Sequence, residues 1–102
     1  MGSPGATVSA EAAIRLDAVP AMARRFRLQF EQAQSAWVLL YPEGMVKLSQ
    51  SAGEIMKRVD GKMTVDALIR SLEEAFPGAD LRQDVLNFLK VADERGWISV
   101  GQ

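Results

Sequence analysis

The side chains that most often carry out acid–base chemistry, nucleophilic attack and metal binding are missing from this sequence. Its 102 residues include no histidine and no cysteine. Imidazole bases, thiolate nucleophiles and the nitrogen and sulfur ligands of zinc sites are therefore excluded together, and disulfides with them. Carboxylates, lysines, hydroxyls and one tyrosine remain. Glu73 and Glu74 adjoin in sequence, so on a helix they diverge and cannot share a proton. No grouping of Asp and Glu has metal-ligand spacing. Trp37, Tyr41 and Trp97 lie in or beside apolar stretches, where aromatic rings serve a core or its rim. The residues point to no enzyme, no cofactor and no metal, and so to a binding protein.

Twelve Lys and Arg stand against thirteen Asp and Glu, a net charge of −1. Nothing draws the whole molecule to nucleic acid or to an anionic membrane. The one basic cluster, Arg24, Arg25 and Arg27, reads as a solvated strand face that protects an edge, in preference to a docking patch for an acidic partner. The longest apolar run, Ala36 to Tyr41, is far short of the roughly 20 residues of a membrane helix, and the N-terminus lacks a signal-peptide core. A cytoplasmic location with no membrane partner is expected.

The length suits one domain. Residues 1–23, rich in Ala, Gly, Ser and Pro, read as a flexible linker or tail outside the fold, leaving a domain over 24–100. Arg25 to Glu31 alternates, with Phe26, Leu28 and Phe30 on one face, which predicts a half-buried strand. Ala36 to Tyr41 is apolar on both faces and predicts a central strand. After the turn Pro42-Glu43-Gly44, Met45 to Leu48 predicts a short third strand. A first helix starts at Ser49 or Ser51, the latter with a Ser51/Glu54 capping box, carries Ala52, Ile55, Met56 and Val59, and stops at Asp60-Gly61. A second starts at Thr64, carries Val65, Leu68, Ile69, Leu72 and Phe76, and ends at Pro77-Gly78. A third runs from a cap at Asp80 to Arg95 and stops at Gly96. The expected fold is α+β and winged-helix-like: a three-stranded antiparallel sheet followed by three helices.

That plan suggests DNA binding, but the charges oppose it. From Asp80 to Arg95 three cations meet four carboxylates, and from Asp66 to Phe76 one cation meets three. A helix entering a phosphate-lined groove should be basic. A DNA-binding regulator and a purely structural subunit remain the alternative classes. The favoured reading is peptide binding. The third strand has an outer edge that can stay unpaired. On the third helix the apolar arc is wider than one buried stripe, because Leu86 and Val91 flank Leu81, Val85, Phe88, Leu89 and Ala92. An edge beside an apolar helix can accept an extended peptide by strand addition.

The ordered series Trp37-Val38-Leu39-Leu40-Tyr41-Pro42-Glu43-Gly44, Lys47-Leu48-Ser49, Glu54-Ile55-Met56 and Asp60-Gly61-Lys62-Met63-Thr64-Val65 resembles the pyrroloquinoline quinone biosynthesis protein D (PqqD) family. So does "DVLNFL" before "ERGWI". The resemblance runs from about Val19 to Ile98 and implies a non-catalytic peptide chaperone. It would bind the precursor peptide PqqA and present it to the radical S-adenosylmethionine enzyme PqqE. It further implies a peptide strand beside Met45, Val46, Lys47 and Leu48, lying against Arg82, Val85, Leu86, Leu89 and Lys90 of the third helix. Some members are fused behind another enzyme of the pathway, so the resemblance also allows the tail to be a linker of that kind.

Overall fold

The computed structural model describes residues 14–100; the first part of the expected tail, residues 1–13, lies outside the described residues. In chain order the elements are β1 (Pro20–Met22), β2 (Arg27–Glu31), β3 (Ala36–Tyr41), β4 (Gly44–Lys47), α1 (Gln50–Lys57), α2 (Val65–Ala75), α3 (Arg82–Glu94) and β5 (Ile98–Val100). The α+β plan of a three-stranded antiparallel sheet followed by three helices is observed. The sheet order is β2-β3-β4, with Leu28 opposite Leu39 and Leu39 opposite Val46. Val38 and Leu39 on the middle strand are both fully buried, as a run apolar on both faces requires.

The helices begin where side chains satisfy their first amides. Ser49 Oγ accepts from the Ala52 amide at 3.1 Å, and Thr64 Oγ1 accepts from the Ala67 amide at 3.1 Å. Of the two starts expected for the first helix, Ser49 is the one used. Glu54 forms no capping box with Ser51; its carboxylate instead accepts from Arg58 at 3.0 Å. Arg58 also donates to Ser71 at 3.0 Å and so ties α1 to α2. The third helix corrects the expected cap at Asp80. The cap position is Leu81, which has no side-chain cap of its own, and Glu73 of α2 accepts from the Leu81 amide at 3.3 Å. A carboxylate brought close by the fold replaces one adjacent in sequence. Gly96 ends α3 at φ 77°, with its amide bonded to Asp93 and the Trp97 amide bonded to Ala92. This paired closure needs a left-handed residue, which glycine supplies at least cost.

The tail is the main correction. Residues 14–23 belong to the domain. Pro20–Met22 pairs antiparallel with Ile98–Val100 to form a second, two-stranded sheet. Leu16 and Ala18 accept from the amides of Asp66 and Val65, the exposed start of α2, at 2.9 Å each. Ala18 and Pro20 are buried, and Ile14, Leu16 and Met22 pack against the core. The signal was an alternation at Ile14, Leu16, Ala18, Pro20 and Met22, hidden by small residues and a proline. Proline is tolerated here because β1 is an edge strand.

The core lies between the sheet and the helices, where Leu39, Met56, Leu68 and Leu89 are essentially fully buried. Each such side chain contributes about 1.5–3 kcal/mol relative to exposure. Phe76, expected in the α2 stripe, is instead 41% exposed at the end of that helix.

Candidate strand-pairing edge and groove

β4 is an edge, since among the described residues its only partner in the sheet is β3. The Leu48 amide donates inward to the Trp37 carbonyl at 2.9 Å. In an antiparallel ladder the N–H and C=O of one residue point the same way and successive residues alternate. Val46 and Gly44 therefore also face β3, whereas Met45 and Lys47 turn their backbone groups to the open side. The edge offers two donors and two acceptors to an incoming chain. Pairing all four is worth about 2–6 kcal/mol net. Ordering a few peptide residues, at about 1–2 kcal/mol each, offsets most of that. Useful affinity requires side-chain pockets as well.

A groove of about 630 Å³ begins where the strand stops. Its wall starts at Ser49, two residues after Lys47, and continues along the first turns of α1 to Ile55. The C-terminal end of α2 adds Leu72 and Phe76, and the N-terminal half of α3 adds Leu81, Asp84, Val85 and Phe88. The surface is mainly apolar, and its two charged side chains, Glu54 and Asp84, are both acidic. The hydrogen bond from Arg58, aided by the nearby Lys57 charge, holds the Glu54 carboxyl below its ordinary range, so this edge of the groove stays ionised at neutral pH. No cluster of Asp and Glu among the described residues could hold a metal ion. Buried side-chain polar atoms without a partner are also absent among them.

The anticipated site residues divide between edge, groove and core. Met45 (48% exposed) and Lys47 lie open on β4, Val46 is half-buried and Leu48 is part of the core. Val85 forms part of the groove floor. Arg82, Leu86, Leu89 and Lys90 do not line the groove. The first three follow Leu81, Val85 and Phe88 by one residue, a rotation of about 100° around the helix. Leu89 is fully buried and Leu86 packs against the core. Phe76, Phe88 and the start of α1 line the groove without being marked in the sequence as site residues. The periodicity of α3 puts Phe88 in the core stripe, and only the position of α2 shows that the helix leaves a gap there.

The architecture is shared with a solved protein. Its likeness to the solution NMR structure of the PqqD truncation of Methylobacterium extorquens PqqCD has a TM-score of 0.72 at 28% identity, covering 86% of this chain and 96% of that one. That protein is described as a functional, stand-alone recognition element for ribosomally synthesized and post-translationally modified peptides. A family model for coenzyme PQQ synthesis protein D (PqqD) matches residues 36–98, and the chain belongs to this family. Relatives named PqqA binding protein include one from Pseudomonas paraeruginosa, 54% identical over 83% of this chain and 94% of its own length. Those of Azotobacter vinelandii and Klebsiella pneumoniae are 50% and 45% identical, over 83% and 79% of this chain and 94% and 89% of their own lengths.

Proposed function

We propose that this protein is a non-enzymatic peptide chaperone of pyrroloquinoline quinone biosynthesis, which binds the precursor peptide PqqA and presents it to the radical S-adenosylmethionine enzyme PqqE in the cytoplasm. The observation that carries the reading is the open β4 edge, after which the chain enters, at Ser49, the lining of the apolar groove between α1, α2 and α3. The peptide's backbone pairs with Met45 and Lys47 and its apolar side chains enter the groove beside Val85 and Phe88. The names of the relatives support PqqA as ligand. The absence of His and Cys from the sequence supports a role without turnover. Arg82, Leu86 and Lys90 are then secondary, reached only by peptide residues beyond the groove. The fused PqqCD relative supports a tether at the N-terminal side, for which residues 1–13 are the candidate segment.

An isotope-labelled titration with synthetic PqqA tests the site. Amide signals of Met45 and Lys47 and of the groove at Phe76 and Phe88 should shift together, with none at β2. Shifts confined to other surfaces would overturn it. The hand-over is tested separately by the rate at which PqqE modifies the peptide. A rate unchanged by this protein would remove PqqE as partner and leave peptide binding intact.

A further inference from the structure

Three arginines gather at one end of the sheet. They do not share a strand face: only Arg27 lies on β2, while Arg24 and Arg25 form the turn that joins β1 to β2. That turn is held from both sides. The Ala23 amide donates to the Trp97 carbonyl at 2.9 Å, the Phe26 amide donates to the Ala23 carbonyl at 3.1 Å, and Phe26 packs against the core. Across the sheet end the Phe26 and Tyr41 rings lie 5.3 Å apart, and the Arg25 guanidinium is 5.7 Å and 5.9 Å from their centres. The three arginines, the two rings and Pro42 border an open hollow of about 320 Å³. It shares no residue with the peptide groove.

The arginines are not equally free. Arg25 is paired with Glu43, whereas Arg24 and Arg27, both exposed, form no ion pair among the described residues. From Arg24 to Lys47, the sheet and its turns, four cations meet two carboxylates, a net charge of +2; from Leu48 to Gln102 seven meet nine, a net charge of −2. The charged residues of the groove, Glu54 and Asp84, are acidic as well. An acidic chain is therefore attracted to this end of the sheet and repelled from the groove. Guanidinium groups grip carboxylates through two parallel N–H···O bonds, and arginine clusters recur as readers of acidic segments. Nucleic acid and anionic membrane fit less well. Phe26 and Tyr41 are half-buried and Arg25 already lies over both, so neither ring is a free platform for a base. Three arginines also fall short of the roughly four to eight cations of a lipid-binding basic cluster.

We propose that this hollow is a docking site for an acidic segment of a second polypeptide, one with several Asp or Glu close together in sequence, and that it works independently of the groove. Arg24 and Arg27 take the partner's carboxylates directly. Arg25 exchanges Glu43 for a carboxylate of the partner, so Glu43 is a competitor carried by the chain itself. An exposed ion pair of this kind adds little to stability, and giving it up costs the fold little.

Titration of the isotope-labelled full chain with hexaglutamate, with hexaglutamine as the uncharged control, tests the proposal. Hexaglutamate at millimolar concentration should shift the amides of Arg24, Arg25, Arg27 and Tyr41, less so as salt rises, and hexaglutamine should not. Replacing both free arginines, Arg24→Gln with Arg27→Gln, should weaken binding by about fivefold or more with an unchanged circular dichroism spectrum. Glu43→Gln should strengthen it by about twofold or more, a gain that damage to the fold would not produce. Adding PqqA should leave the hexaglutamate affinity unchanged. Hexaglutamate shifts that are absent from the hollow would overturn the proposal, as would a Glu43→Gln variant that binds no better than the wild type or a double arginine variant that binds as well. Displacement of hexaglutamate by PqqA would also overturn it and make the hollow part of the peptide's own site. Tighter binding there of a single-stranded oligonucleotide, or of vesicles containing phosphatidylserine, would replace the acidic polypeptide as the partner.

Discussion

Two adjacent residues of β4 carry opposite consequences for one substitution, because proline removes a backbone donor. The Val46 amide faces β3 and the Lys47 amide faces the open side. Val46→Pro should abolish cooperative unfolding by circular dichroism. Lys47→Pro should leave the domain folded and weaken PqqA binding by about tenfold or more in calorimetry, equivalent to roughly 1.4 kcal/mol. A folded Lys47→Pro variant that binds at wild-type strength would move the peptide off this edge. Gly53 shows a different constraint. A Cβ there would lie 2.7 Å from Trp37 Cδ1 and 3.0 Å from its Cβ and Cγ. Overpacking costs about 1–3 kcal/mol, against a helix-propensity gain of up to about 1. Gly53→Ala should therefore lower stability by about 1 kcal/mol and perturb the Trp37 fluorescence.

Within the elements, burial separates residues that serve the fold from those that serve the groove. Leu89 is fully buried, and Leu89→Ala should cost about 2–5 kcal/mol of stability. Phe88 is half-buried, lines the groove and has its ring 6.3 Å from that of Trp97. Phe88→Ala should cost less stability than Leu89→Ala, yet weaken PqqA binding by about 1 kcal/mol or more. Equal effects of both on stability with no change in binding would make the groove packing alone. At the start of α1, Ser49→Ala removes the acceptor for the Ala52 amide. It should cost about 1 kcal/mol, a fall in melting temperature of roughly 4–8 °C for a domain of this size. Ser51→Ala should do much less, which distinguishes the two possible starts.

The charges of the whole molecule give it a simple response to pH. Glu54 is held below its ordinary range by the Arg58 hydrogen bond, and Asp60 by accepting from the backbone amides of Lys62 and Met63. A carboxylate whose folded pKa is depressed adds stability above its unfolded pKa, near 4, and loses that contribution as pH falls through the folded value. The sequence has no histidine, the side chain whose ordinary charge change falls between about pH 5 and 8. Thermal melts should accordingly be flat across that window and fall steadily below about pH 4. A transition near pH 6.5 would contradict this picture. Among the described residues no helix is long and apolar enough to cross a membrane.

Much of this was fixed by local chemistry. Alternation at Leu28 and Phe30, a two-faced apolar run at Ala36 to Tyr41, hydroxyls at Ser49 and Thr64 and a glycine at Gly96 each specify a local conformation through sterics or a hydrogen bond a few residues away. The sheet, the three helices and the family resemblance could therefore be read directly from the sequence. The lack of His and Cys, and so of most catalytic chemistry, needed no structure at all. Other features depended on residues far apart in the chain. Glu73 caps α3 from α2, Leu16 and Ala18 satisfy the start of α2, and Met22 pairs with Ile98. No periodicity records such partners, because the free energy of each belongs to a pair whose distance the chain path sets. The site divides in the same way. The edge at Met45 to Leu48 follows from strand order, but which face of α3 lines the groove depends on where α2 comes to rest, and only the tertiary structure decides that Phe88 borders the open space while Leu89, one residue on, fills the core.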